Sequence, residues 1–121
     1  MSTSGAQAAA FFREIVRHPV VWSVRDDEGG PTWPSASGGQ VVPYWSSEVR
    51  VKRAVAIWGA RFRAVSMPLR HWQQVELPDL AAGRLRVGIN WSGPRLTGWD
   101  FTVAEVLNRL AHALGEPPYD R

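Results

Sequence analysis

Helical spacing of apolar positions marks both ends of the chain, and alternation marks several short segments between them. Over 4–17, Ala8, Phe11, Phe12, Ile15 and Val16 share one helical face, and Pro19 stops the helix. At the other end Thr102 and Glu105 form a T-x-x-E capping box. Phe101 and Val106 supply a hydrophobic staple, Val103, Leu107, Leu110 and Leu114 the apolar stripe, and Gly115 the stop. The tail from 116 to 121 reads as loose.

Four segments between these helices read as strands. Over 20–25, Val20, Trp22 and Val24 point one way and Val21, Ser23 and Arg25 the other. Residues 40–45 form a second strand, which Pro43 places at an edge or near its end. Residues 61–67 form a third. Over 84–91, Leu85, Val87, Ile89 and Trp91 alternate with Arg84, Arg86, Gly88 and Asn90.

Two further helical segments complete the pattern. Ser46 or Ser47 caps one that runs to about Trp58, with Val51, Ala54, Val55 and Trp58 as its buried stripe and Gly59 as its stop. Pro68 opens another through about Glu76, and Pro78 is expected to interrupt it before a short turn ending at Gly83. The order α-β-β-α-β-α-β-α predicts one small α+β domain over 1–121. Its mixed three- to four-stranded sheet is packed by about four helices.

Two loops interrupt this regularity. Asp26 to Gly39 is too rich in Gly and Pro for regular structure, yet Trp33 sits in its middle, where a mobile linker would gain nothing from an indole. Residues 90–100 combine Trp91 and Trp99 with Gly93, Pro94, Gly98, Asn90 and Asp100. A strand feeds this loop and a capped helix leaves it, so its ends are held.

Composition narrows the function classes. There is no cysteine, hence no disulfide, thiolate metal site or cysteine nucleophile. No apolar run approaches the roughly 20 residues of a membrane span. The N-terminus lacks a signal-peptide pattern, which makes the cytoplasm the default location. His18, His71 and His112 have no partner at metal-ligand spacing, so neither metal nor cofactor is expected. Ser92 is not the serine of a nucleophile elbow, because Asn90 stands where the motif needs Gly and the next helix starts well beyond it. Phosphate-loop and dinucleotide-loop patterns are absent.

Three classes of function remain. Asp26, Asp27 and Asp100 sit beside glycine-bearing loops, and a small-molecule enzyme would use Asp26 or Asp100 as base with an arginine as anion clamp. Arg50, Arg53, Arg61, Arg63 and Arg70 lie between 46 and 70 against Glu48 alone, which would suit weak nucleic-acid binding. The favoured class is a non-enzymatic binding or interaction module for a protein or small ligand, with no membrane partner. Its surface would be Trp45, Ser46, Ser47, Arg50, Asn90, Trp91, Ser92, Arg95, Trp99 and Asp100. If the 40–45 and 84–91 strands are parallel neighbours, both segments meet at one end of the sheet, where open sheets bind ligands. Ser46, Ser47 and the helix N-terminus would then face an anion, helped by Arg50.

Val42-Pro43-Tyr44-Trp45-Ser46-Ser47, Val87-Gly88-Ile89-Asn90-Trp91-Ser92-Gly93-Pro94 and Gly98-Trp99-Asp100 follow one another in an order that resembles the small bacterial family called domain of unknown function 2750. Val21-Trp22-Ser23-Val24-Arg25-Asp26 fits the same order, and the likeness spans about residues 6–111. It implies no particular activity. The junction Pro43-Tyr44-Trp45-Ser46-Ser47-Glu48 is also similar to the P-x-F-T-S-x-E junction of enhanced-serine-sensitivity and immunity-like proteins. That single junction implies an interaction role.

Overall fold

A computed structural model describes residues 3–117. Helix α1 (Thr3–Arg17) leads into strand β1 (Val20–Arg25), followed by β2 (Trp33–Pro34), β3 (Gln40–Tyr44) and α2 (Glu48–Trp58). Strand β4 (Arg63–Pro68) precedes α3 (Leu69–His71), a π-helical turn (Trp72–Glu76) and α4 (Leu77–Ala82). Strands β5 (Arg86–Ile89) and β6 (Asp100–Phe101) and helix α5 (Val103–Leu114) complete the chain. This is a small α+β fold.

The main sheet is mixed, with strand order β2-β3-β5-β6. Strand β3 runs parallel to β5, with Val42 beside Val87 and Tyr44 beside Ile89; the flanking pairs are antiparallel. Strands β1 and β4 do not join this sheet. They form an antiparallel ribbon from Val20–Pro68 to Arg25–Arg63. The ribbon is tied to the end of β3 by two 2.8 Å backbone hydrogen bonds between Trp22 and Trp45. Alternation identifies a strand but not its neighbour, so β1 and β4 are at their expected places in the chain with each other as partners.

Strand β3 is apolar on both faces because both are covered. Val42 and Tyr44 face a core built with Phe11, Ile15, Trp72, Val87, Ile89 and Leu110. Val41 faces the opposite way, into a second core with Trp45, Val51, Ala54, Trp91 and Leu96. Pro43 lies where β2 has already ended. Its missing N–H costs no ladder bond, and its carbonyl accepts the Ser23 hydroxyl at 3.0 Å.

Pro78 does not interrupt the helix as expected. A proline inside a helix clashes with the carbonyl four residues earlier. Here the preceding π-helical turn moves the backbone, with the Leu77 N–H bonded to the Trp72 carbonyl, and α4 begins with Pro78 in its first turn. The last residue of that turn, Glu76, accepts the buried Tyr44 hydroxyl at 2.7 Å. Burial, with the nearby Glu76 carboxylate, drives the Tyr44 pKa far upward.

Helix α5 forms as its caps predict. The Thr102 hydroxyl accepts the Glu105 N–H, and the Glu105 carboxylate accepts the Thr102 N–H. Beyond α5, the Glu116 N–H is held by the Ala111 carbonyl. The rest of the tail expected to be loose, 118–121, lies outside the described residues.

Candidate functional site

The parallel pairing of β3 and β5 brings the 45–50 and 90–96 segments to the same end of the sheet, beyond the carboxyl ends of both strands. Asn90 joins them. Its Oδ1 accepts the Ser46 N–H at 3.0 Å, while Nδ2 donates to the Ser46 hydroxyl at 3.0 Å and to the Gln7 carbonyl at 3.2 Å. With φ of 48° and 1% exposure, Asn90 also turns the chain out of the strand. Asn tolerates this left-handed conformation better than most residues. The turn alters the expected alternation: Trp91 leaves the face of Val87 and Ile89 and enters the second core.

Trp91 and Trp45 are locked to each other. The Trp45 indole N–H donates to the Trp91 carbonyl at 2.9 Å, and the Trp91 indole N–H to the Trp99 carbonyl at 3.3 Å. Trp33 pairs with Val41 in the sheet, stacks on Trp58 at 4.4 Å and meets Trp91 edge-on at 6.1 Å. Its place in the long loop is thus a wall of the second core. Beyond Trp91, backbone bonds between Ser92 and Thr97 close a tight loop, and the buried Leu96 takes a positive φ of 48° at its base.

The start of α2 is already satisfied. The Ser47 hydroxyl accepts the Arg50 N–H, and Ser46 is engaged by Asn90 and by Glu14, whose carboxylate it meets at 2.6 Å. Arg50 donates from Nε and Nη2 to the two Glu14 oxygens at 3.0 and 2.8 Å and from Nη1 to Gln7 at 2.6 Å. These hydrogen bonds, with the Ser46 hydroxyl, hold the Glu14 carboxyl below the usual range despite its partial burial. The anion expected beside Ser46, Ser47 and Arg50 is therefore an internal one, Glu14. Gln7 and Glu14 join the site although no motif marks them. Their signal is two polar residues seven apart on α1, which places both on one helical face.

Two clefts flank Arg50. The larger, about 750 Å³, is open and carries Glu14 and Glu48, which pair with Arg50 and Lys52 respectively. The smaller, about 380 Å³, lies between α2 and the 91–96 loop. Its walls include Trp45, Ala54, Ile57, Trp91 and Leu96, with Arg50, Arg53, Asn90, Ser92 and Gln7 as polar neighbours and no carboxylate among its lining residues. Arg53 lines both clefts and forms no ion pair among the described residues.

Three expected site residues lie elsewhere. Arg95 is exposed outside the lining of either cleft. Trp99, 44% exposed, packs edge-on against Phe101. Asp100 is an ion-pair partner of Arg86 and accepts the Ser35 hydroxyl, fastening the long loop to the sheet. Among the other candidate chemical groups, Asp26 accepts the Glu28 N–H in a tight turn closed by Gly29. Arg61 shares a cleft with Asp26, Asp27 and Glu28. Among the described residues, no three of His, Cys, Asp and Glu are grouped to hold a metal ion, and no helix is long and apolar enough to cross a membrane.

The model of a family described as Protein of unknown function (DUF2750) matches residues 8–110. The chain belongs to that family. The DUF2750 match runs from α1 into α5 and contains both cores and every cleft residue named above except Gln7. No curated protein and no solved structure matches the chain.

Proposed function

We propose that this protein is a non-enzymatic binding module, working in the cytoplasm, that takes a small ligand in the cleft between α2 and the 91–96 loop. The observation that carries this reading is the convergence of two strand-end segments on one recessed, largely apolar space. Its volume of about 380 Å³ falls within the roughly 300–1,000 Å³ range of small-molecule sites. The walls are preorganised: both indole N–H groups are internally bonded, and Asn90 fixes the spacing of the segments. Leu96 stands in a strained backbone conformation at the edge of this space, as residues at ligand clamps do.

The carboxylates considered for catalysis have other employment, Asp100 with Arg86 and Asp26 in its turn. Of the arginines that would suit nucleic acid, Arg50 is paired with Glu14 and Arg61 shares a cleft with three acids. Both arrangements favour the binding-module reading.

A thermal-shift screen of small molecules tests it, using the intact chain and Ala56→Trp. Ala56 is exposed on α2 and lines the cleft, so a bulky side chain there fills the space without entering the core. Compounds that raise the melting temperature of the parent protein should lose this effect in A56W. Hits that stabilise both proteins equally would overturn the assignment of the cleft.

A further inference from the structure

We infer that the ligand of this cleft is an amphipathic monoanion: an apolar, preferably flat body with one negatively charged head that meets Arg53. The inference rests on the cleft being a binding site and adds the charge and shape of what it binds.

The argument begins with charge. Arg50 and Arg53 both line the cleft, and among the described residues neither Asp nor Glu does. Arg50 is neutralised from behind by the two-pronged Glu14 contact. Among the described residues Arg53 has no such partner, and it is the cation of the cleft without an ion pair. A single anionic head fits that balance. A cationic ligand would meet repulsion and a dianion would leave a charge unpaired.

The polar groups with spare capacity agree with this sign. Asn90 has both its oxygen and its amide nitrogen committed. The Gln7 side-chain oxygen accepts from Arg50, which leaves its NH₂ group to donate. The groups with spare donors at the cleft are thus the Arg53 guanidinium, the two Arg50 N–H groups beyond its three bonds and the Gln7 amide, together with the Ser92 hydroxyl, which can donate. A carboxylate or comparable acid is acceptor-only and so matches donors of this kind.

The body of the ligand is set by the remaining walls. Because the Trp45 and Trp91 N–H groups are bonded to backbone carbonyls, these residues offer no donor to the cleft, and its other walls are Ala54, Ala56, Ile57 and Leu96. Such walls favour an aryl or short alkyl group over a sugar or a hydrated ion.

The probes are 4-phenylbutyrate, its uncharged amide 4-phenylbutanamide, its cationic counterpart 4-phenylbutylamine, and acetate as a head without a body. Each is titrated into the full ¹⁵N-labelled chain while the indole N–H signals of Trp45 and Trp91 are followed. Phenylbutyrate should move both signals and bind about tenfold tighter than the amide, the difference expected of one charge-assisted contact. Arg53→Gln, on an exposed helix position, should bind the acid and the amide alike. Equal or tighter binding of the amide or amine at the same signals would overturn the anion and leave the cleft standing. Movement of neither indole by any probe would overturn both the anion and the cleft. Acetate matching phenylbutyrate would overturn the apolar body.

Discussion

The indole of Trp91 rests on the backbone of Gly88: a β-carbon at position 88 would lie 2.6 Å from its Cε2 and Cζ2 atoms. Gly98 receives the same ring from its own side, where a β-carbon would lie 2.6 Å from Cδ1. Neither glycine has a positive φ, so the requirement is space and not backbone freedom. Gly88→Ala should therefore destabilise the protein by about 2 kcal/mol, the usual cost of overpacking a closed site. In a Trp91→Ala background the same change should cost far less, because the atoms it meets are gone. Urea midpoints of the four proteins of this cycle measure the coupling, and equal costs in both backgrounds would refute it.

Asn90 combines a positive φ with three side-chain hydrogen bonds between distant segments. Asn90→Ala should cost roughly 3 kcal/mol, because it strains the backbone and leaves the buried Ser46 N–H without its acceptor. Asn90→Gly removes the same hydrogen bonds but relieves the strain, so its melting temperature should fall between those of the parent and N90A. A glycine variant no more stable than the alanine variant would show that backbone conformation contributes nothing.

The Glu14–Arg50 contact makes stability depend on pH in a defined direction. The folded pKa of Glu14 lies below its ordinary value of 4.5. Its contribution is thus fully present above that value and is lost as pH falls through the folded pKa. Glu14→Gln should be less stable than the parent at pH 7, by about 1 kcal/mol once partial exposure is allowed for. The gap should narrow steadily below pH 4.5. Denaturant midpoints across this range read the effect directly, and a gap independent of pH would contradict it.

Asp100 fastens the 26–39 loop through Ser35 and is held in turn by Arg86. Asp100→Asn should speed amide exchange at Ser35, whose N–H is bonded to the Gly39 carbonyl, while phenylbutyrate affinity at the cleft changes less than about twofold for want of contact. A large loss of affinity would instead return Asp100 to the binding surface.

Much of the site was legible residue by residue and little of it pair by pair. The junction at Trp45, Ser46 and Ser47 and the turn at Asn90 and Trp91 stand out through turn residues set beside indoles. Their meeting depends on β3 lying parallel to β5, which no local pattern encodes. Arg50 reads as a free cation until α1 supplies Glu14, 36 residues away in the chain. Asp100 and Trp99 belong to the same loop by sequence, yet neither lines the cleft, and Asp100 is held in β6.

By itself the sequence determined where most elements begin and end. The Ser47 and Thr102 caps and the stops at Gly59 and Gly115 are satisfied by atoms within a few residues, so local composition is sufficient. The tertiary structure alone decided the partners: β1 with β4, Trp91 with Gly88, Arg50 with Glu14 and Asn90 with Ser46. It also let the helix run on through Pro78 by way of a π-helical turn. These outcomes depend on which buried polar groups and apolar faces the closed fold must satisfy together, and that is set by packing between segments far apart in the chain.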